Sequence, residues 1–129
     1  PAVNEFICAD SDSLEEVDLS EAKTINIHRC PRLIKLTAKN ARKATCSFLK
    51  SLQQLILPRG EDIIFKDSSS VKEIIAPVAK KLDCSWSRSL ERVYAPSVTD
   101  LITNGCPKLT DLTVSWSVSI PLKIKNWFF

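Results

Sequence analysis

Residue types that build common catalytic and metal sites are scarce in this chain of 129 residues. It contains no Met, one His, His28, and only two Gly, Gly60 and Gly105. A single His that no pattern places beside a nucleophile provides no catalytic pair, and two isolated Gly cannot form a phosphate-binding loop. We therefore expect no enzymatic activity, no cofactor and no small-molecule substrate.

Long apolar runs and a large excess of one charge are also missing. No segment approaches the roughly 18 consecutive apolar residues of a membrane-spanning helix, and no signal peptide is visible. The net charge is only +3, and the basic residues lack neighbouring aromatic side chains except Phe48. The sequence therefore predicts neither a membrane nor a nucleic acid as a partner.

What is present is a repeat of 19 residues that runs through the chain. We call each unit a coil, and residues that recur at the same position in successive coils a column. Three columns, separated by three and then two residues, are apolar at all 18 positions, although only 44% of the chain is apolar. They are Leu14, Leu33, Leu52, Val71, Leu90 and Leu109; Val17, Leu36, Leu55, Ile74, Val93 and Leu112; and Leu19, Ala38, Leu57, Ala76, Ala95 and Val114.

The spacing of apolar residues within each coil indicates strands. They lie three and five positions after the first column, and again eleven and thirteen positions after it, so alternate side chains point inward. One coil cannot bury a core alone, whereas stacked coils can. The sequence predicts a single β-rich solenoid domain over residues 1–129, with about six 19-residue coils, short corners and few or no helices. In one corner, residues 41–49, helical propensity favours a short helix or 3₁₀ turn.

Both ends of the chain cut across this repeat. Phe6 and Cys8 already fall in the columns eleven and thirteen positions after the first, so the chain begins in mid-coil. Because a solenoid needs a polar terminal cap, we expect a piece of a longer array; the alternative is a native start whose half-coil is the cap. Phe128 falls in the first column of a further coil. Trp127, Phe128 and Phe129 either cover the last coil as an aromatic cap or contact a further coil or domain.

The pattern Leu-x-x-Leu-x-Leu resembles the leucine-rich repeats. One coil is similar to the BspA-like bacterial subtype, which runs Leu-x-x-Ile-x-Ile-Pro, then Val-x-x-Ile, then Cys-x-x-Leu. The matching residues are Val93, Pro96, Val98, Leu101, Cys106 and Leu109, with Pro58 and Pro77 in neighbouring coils. The unit of 19 residues is shorter than in that subtype, and the Asn column of better-known leucine-rich repeats is missing. The Cys-Pro-x-Leu-x-x-Leu runs beginning at Cys30 and Cys106 also resemble repeats of F-box proteins.

This resemblance implies a non-enzymatic module for protein–protein interaction. Such units recur in effector proteins of intracellular bacterial pathogens, which act in the host cytosol. Two alternatives stay open: a substrate-recognition array of a larger enzyme such as a ubiquitin ligase, and a surface adhesin of the BspA type.

The outward positions of the first strand form the predicted partner-binding face. One outward column has an apolar middle, Ile56, Ile75 and Tyr94, beside a column that contains three Pro. An exposed apolar patch with a polar rim usually marks a partner, although β-branched and aromatic residues also favour strands in general. The residues assigned to partner binding are Ile56, Ile75, Tyr94, Arg92, Lys35, Lys39, Thr37 and Thr113. Lys35 and Arg92 also belong to a column of largely alternating charge, which favours a stabilising ladder.

Charge is distributed in blocks along the chain. Up to Glu21 there are seven acidic and no basic residues, and residues 22–60 contain nine basic and no acidic residues. Stacking predicts an acidic end beside a basic band. This band is either a solvated surface with internal ion pairs or a docking surface for an acidic protein.

The five Cys fall in two inward columns. Cys8, Cys46 and Cys84 share one and are two coils apart; Cys30 and Cys106 share the other and are four coils apart. Since coils stack at about 4.8 Å and a disulfide needs Cα atoms within about 7 Å, no pair within a column can form. We predict five free, buried thiols, no metal site and a reducing, cytoplasmic location.

Overall fold

The computed structural model describes residues 4–115 and 127–128. All regular secondary structure in these residues is β-strand, with no helix. The chain winds into a parallel β-solenoid of about six coils in which residues 19 apart lie side by side. Val17 is opposite Leu36, for example, and Val93 is opposite both Ile74 and Leu112. The predicted fold class is confirmed.

Each coil contributes two strands, which lie on opposite faces of the stack. The first strands are β2 (Glu16–Asp18), β4 (Lys35–Thr37), β6 (Gln54–Ile56), β8 (Glu73–Ile75), β10 (Arg92–Tyr94), β12 (Asp111–Thr113) and β13 (Trp127–Phe128). The second strands are β1 (Glu5–Ala9), β3 (Thr24–His28), β5 (Lys43–Ser47), β7 (Asp62–Lys66), β9 (Lys81–Asp83) and β11 (Asp100–Ile102).

The two faces differ in continuity. The second strands form one parallel sheet of six strands in the order β1-β3-β5-β7-β9-β11. The first strands form two separate sheets, β2-β4 and β6-β8-β10-β12-β13. The first face is therefore interrupted between β4 and β6, whereas the second face passes the same point through the pairing of β5 with β7.

The predicted interior columns are buried. In the first column, Leu33, Leu52, Val71, Leu90 and Leu109 are at most 3% exposed, and only Leu14 in the terminal coil is partly buried. Burying each such side chain contributes roughly 1.5–3 kcal/mol. This interior row fixes the stacking, because a coil that slipped out of register would expose its Leu.

Tight turns close each coil next to the first strand. Eight positions after the first column stands a small residue, whose N–H donates to the carbonyl three residues earlier, as in Gly60 N to Leu57 O at 3.1 Å and Ala79 N to Ala76 O at 3.2 Å. Pro58 occupies the second position of its turn, where its fixed φ is favourable. The described residues at this position are buried: Ala22, Ala41, Gly60, Ala79 and Val98. Strands β6, β8 and β10 each end two residues before a Pro.

The opposite corner of each coil contains one residue in the left-handed region. Its φ lies between 53° and 72° at every occurrence. The residues are Asp10, Arg29, Phe48, Asp67, Trp86 and Gly105, spaced by 19. Only one of the six is Gly, so the sequence pattern gave no signal for this conformation. Five of them donate their N–H to a carbonyl of the next coil, as Phe48 N does to Lys66 O at 3.2 Å.

Two sequence predictions about local structure are wrong. The corner at residues 41–49 contains strand β5 instead of a helix, because Ala44 and Cys46 are buried and β5 pairs with strands on both sides. Tertiary contacts of this kind routinely override helical propensity. In addition, Phe128 pairs with Thr113 rather than continuing the first column, so the 19-residue spacing does not extend to β13. Trp127 and Phe128 do add a strand to the last coil; Phe129 lies outside the described residues.

Candidate functional surface

Three predicted partner-binding residues form a continuous stripe on the larger first-face sheet. Ile56 is the register neighbour of Ile75, and Ile75 is the register neighbour of Tyr94. Ile56 is 40% and Tyr94 47% exposed, and Ile75 is half-buried between them. Thr113 of β12 continues the row beyond Tyr94. We call Ile56, Ile75 and Tyr94 the apolar stripe.

A hydrogen-bonded row of polar side chains runs beside the stripe. Gln54 Nε2 donates to Glu73 Oε1 at 2.6 Å, and Arg92 Nε donates to Glu73 Oε2 at 3.4 Å. Glu73 therefore links the coils on both sides of it. Exposed pairs of this kind contribute roughly 0.2–1 kcal/mol. Arg92 thus forms a contact between coils of the kind predicted for its column, and a partner that used Arg92 would have to share it with Glu73.

The other predicted residues lie across the interruption in the first face. Lys35 and Thr37 are on β4, and Lys39 is in the turn that follows. Because β4 belongs to the smaller sheet, these three residues are not on the sheet that holds the apolar stripe. The structure thus divides the predicted face into two groups, with a gap between β4 and β6.

This gap is a groove of about 740 Å³ that follows both strands. Most Cα–Cα separations between β4 and β6 exceed 8 Å, whereas paired strands lie about 4.8 Å apart. Its lining comprises Ile34, Lys35, Leu36, Thr37, Ala38, Lys39, Ser51, Gln53, Gln54, Ile56 and Pro58. We call it the β4–β6 groove.

Backbone hydrogen bonds that join other coils are missing across the groove. Elsewhere the residue after each first strand donates to the next coil, as Leu57 N does to Ile75 O at 3.0 Å. Among residues 4–115, no equivalent bond joins Ala38 N to Ile56 O, and none joins Gln53 N to Ile34 O. Both strands therefore have an unpaired edge that faces the groove.

Two apolar side chains at the groove were not assigned to the surface from the sequence. Leu36 belongs to an interior column but is only partly buried, whereas Leu55 and Ile74 in that column are at most 1% exposed. Ile34 is 56% exposed. A signal for Ile34 was present, because its column is otherwise polar: Glu15, Gln53, Lys72, Glu91 and Thr110.

A step in interior volume lies beside the groove but does not account for it. The coil above the groove contributes Ala38 and Cys46 to the interior, and the coil below contributes Leu57 and Phe65 at the same columns. All four are buried, and Phe65 is among the largest fully buried side chains. The same step recurs on the other side of that coil, where Ala76 and Cys84 follow Leu57 and Phe65 while β6 pairs with β8, so the size of these residues is not the cause of the opening.

The basic band is partly neutralised by neighbouring coils. Three of its four arginines form exposed ion pairs with acidic residues 3.6–3.9 Å away. The pairs are Arg29–Asp10, Arg32–Glu15 and Arg42–Glu61. Within the part of the chain that the structure describes, Lys35 and Lys39 have no ion pair within 4.0 Å. The groove therefore has two exposed cations at its β4 side.

Asp18 of β2 shows how β4 and its turn act on a nearby carboxylate. Hydrogen bonds from the hydroxyl and the backbone N–H of Ser20 lower the pKa of the Asp18 carboxyl. The positive charges of Lys39 and Lys35 lower this pKa further. The lysines thus favour an ionised carboxylate on the strand paired with β4.

The second face has exposed apolar residues, but they do not form a row. Ile64 is 37% and Ile102 41% exposed, values close to that of Ile56. The register neighbours of Ile64 are Thr45 and Asp83, and Ile102 also lies beside Asp83. The exposure of apolar residues therefore does not distinguish the first face from the second. The first face differs because its exposed apolar residues are register neighbours in successive coils.

All five Cys are free, and Cys8 is the only one that is not buried. Cysteines of different columns also contact each other, which the sequence did not predict. Cys8 Sγ lies 4.0 Å from Cys30 Sγ, and Cys106 Sγ lies 3.1 Å from the Cys84 carbonyl. Contact with Cys106, together with burial, raises the pKa of Cys84. Burial raises the pKa of Cys46 to about 12, so this thiol stays protonated at neutral pH.

No cluster of potential metal ligands occurs in the described residues. His28 lies on β3, where its Nδ1 and the Ser47 hydroxyl are hydrogen-bonded at 2.6 Å. No helix of the described residues has the length and apolar character needed to cross a membrane. No protein-family model matches this chain, and no curated protein or solved structure shows significant similarity to it.

Proposed function

We propose that this chain is a non-enzymatic protein-binding module whose first face contacts another protein through the apolar stripe. The observation that carries the proposal is the register of Ile56, Ile75 and Tyr94, which places three adjacent side chains on one short sheet. Exposed apolar patches with polar rims are typical of interaction sites, and Tyr is enriched among residues that dominate binding energy. The strands of the stripe pair with one another above the buried Leu55, Ile74 and Val93, so the stripe needs no ordering when a partner binds.

The family and cellular context of the whole protein are inferred from the sequence pattern. We propose membership of the leucine-rich repeats and an effector-type role in a reducing, cytoplasmic environment, which five free thiols support. A substrate-recognition array of a larger enzyme and a BspA-type adhesin are the alternatives. The full-length reading frame distinguishes them, because it shows whether a catalytic domain, an anchor or a secretion signal accompanies the repeats.

The stripe is tested by comparing double variants in a quantitative affinity capture from cell extract. Ile75→Asp with Tyr94→Asp places two charges on the stripe. The control is Ile64→Asp with Ile102→Asp, which places two charges at exposed positions of the second face. All proteins are first shown to be folded by circular dichroism.

We expect the stripe variant to lose the captured partner and the control variant to retain it. Each charge placed in a desolvated contact costs several kcal/mol, so the loss should be nearly complete. Equal capture by the wild type and the stripe variant would contradict the proposal, and so would equal loss in both variants.

A further inference from the structure

The β4–β6 groove has the backbone chemistry of a vacant strand position. A strand between two others must accept and donate hydrogen bonds on both sides. The unpaired N–H groups of Ala38 and Gln53 and the unpaired carbonyls of Ile34 and Ile56 offer both kinds of partner. Unpaired sheet edges of this kind are the template for adding an extended peptide.

The dimensions of the groove suit a strand better than a compact ligand. A strand inserted between β4 and β6 requires a separation of about 9.6 Å, twice the normal spacing. The two strands are already mostly more than 8 Å apart at their Cα atoms. The partly buried Leu36 provides an apolar floor, and Lys35 and Thr37 stand on the outer rim opposite Gln54 and Ile56.

The occupied edge of β4 shows which sequence this strand accepts. Its neighbour there is β2, which reads Glu16-Val17-Asp18. Glu16 lies opposite Lys35, Val17 packs in the interior beside Leu36, and Asp18 lies opposite Thr37 within the field of Lys35 and Lys39. The side chains of β4 are common to both edges, so the free edge presents the same charges and the same apolar position.

We propose that the β4–β6 groove binds an extended segment of another protein, with acidic residues on either side of an apolar one, as an additional parallel strand. Its acidic side chains lie beside Lys35 and Lys39, and its apolar side chain covers Leu36. This inference rests on the proposed protein-binding function and names the part of the partner that enters the first face. The complex joins the two first-face sheets into one.

A synthetic peptide with the sequence of residues 14–20, Leu-Glu-Glu-Val-Asp-Leu-Ser, serves as the probe because it copies the strand that β4 already pairs with. Its binding to the intact protein is measured by fluorescence polarisation. A control peptide carries Lys in place of all three acidic residues. We expect saturable binding of the first peptide and none of the second, with affinity that falls as salt rises.

Protein variants locate the binding. Lys35→Glu with Lys39→Glu reverses both charges at the groove. The affinity for the peptide should fall by about tenfold or more, because like charges then face each other. Lys72→Glu with Lys80→Glu makes the same charge change two coils away and should leave the affinity within about twofold of the wild type. Equal effects of the two variants would show a non-specific charge interaction and overturn the proposal.

Hydrogen exchange tests the backbone pairing directly. The amides of Ala38 and Gln53 should exchange more slowly when the peptide is bound, while amides of the second face should not change. Binding without this protection would mean that the peptide lies on the surface, which overturns strand addition.

Two further outcomes separate this inference from the proposed function. If the peptide fails to bind while capture of the partner still depends on Ile75 and Tyr94, the groove is not a strand site and the apolar stripe stands. If light scattering shows a dimer that the peptide dissociates, the occupant is a second copy of this chain and the proposed partner segment is wrong.

Discussion

Leu36 and Leu55 occupy the same interior column and differ mainly in the groove beside Leu36. Leu55 is 1% exposed, whereas Leu36 is partly buried. Leu55→Ala removes buried apolar groups and leaves a cavity, which together cost roughly 3–4 kcal/mol of unfolding free energy. Leu36→Ala removes fewer buried contacts and enlarges an opening that already exists. We therefore expect it to cost only about 1–2 kcal/mol.

Urea denaturation followed by circular dichroism measures both changes in unfolding free energy. The slopes of the two transitions should agree with that of the wild type, since the same surface is exposed on unfolding. The comparison is internal to one column of one sheet and needs no reference protein. A Leu36→Ala variant as unstable as Leu55→Ala would mean that β4 and β6 are packed together in solution, and the groove would be refuted.

Two other positions give sharp expectations. Gly105→Ala should destabilise the protein by at least about 1–2 kcal/mol, because its φ is +72° and a Cβ there would lie 2.1 Å from Trp86 Cε3. Gly60→Ala is the control: its φ is not left-handed, a Cβ there would lie 2.9 Å from Ile63 Cδ1 and 3.0 Å from Leu57 Cβ, and Ala stands in this column in three other coils. Thermal denaturation compares the two, and an equal loss in both would contradict this view of the corner. Cys46 makes stability fall between pH 9 and its raised pKa of about 12, because the unfolded thiol ionises and the buried one does not. At pH 10 its contribution to that fall is about 1.4 kcal/mol, so Cys46→Ala should lose less stability than the wild type between pH 8 and pH 10. Parallel pH dependence of the two would argue against a buried, protonated Cys46.

The repeat alone was enough to predict the fold, because the 19-residue spacing determines which residues stack. Once Leu33 and Leu52 are placed on one interior row, the outward position of Ile56 and its neighbours Ile75 and Tyr94 follows by alternation. The placement of these three side by side was therefore predictable from column counting. Whether a partner binds them remains a prediction.

The interruption of the first face could not be predicted in the same way. A repeat treats every coil as equivalent, while the groove depends on a difference between two coils. The sizes of the interior residues do not indicate it either, because the step from Ala38 and Cys46 to Leu57 and Phe65 recurs between these two and Ala76 and Cys84, where β6 and β8 pair. The left-handed conformation of the corner residue was also not predicted, because Phe48 and Trp86 rarely adopt a positive φ.

The contacts between cysteines and the strand at residues 43–47 show two further limits. Counting within columns compares residues 19 or 38 apart, so it overlooked Cys8 and Cys30, which are 22 apart and meet across a coil boundary. Local propensity favoured a helix where β5 forms, because Ala, Lys and Arg are strong helix formers. Pairing of β5 on both sides decided the outcome.

The continuous second face has a mechanical consequence for the array. At the level of the groove, the blocks on either side are joined through the ladder of β5 and β7, while the opposite wall has no ladder. Bending between the coils before the groove and the coils after it is then a rotation about the β5–β7 ladder. The curvature of the solenoid and the width of the β4–β6 groove therefore change together. A segment bound in the groove would also set the angle between the coils on its two sides.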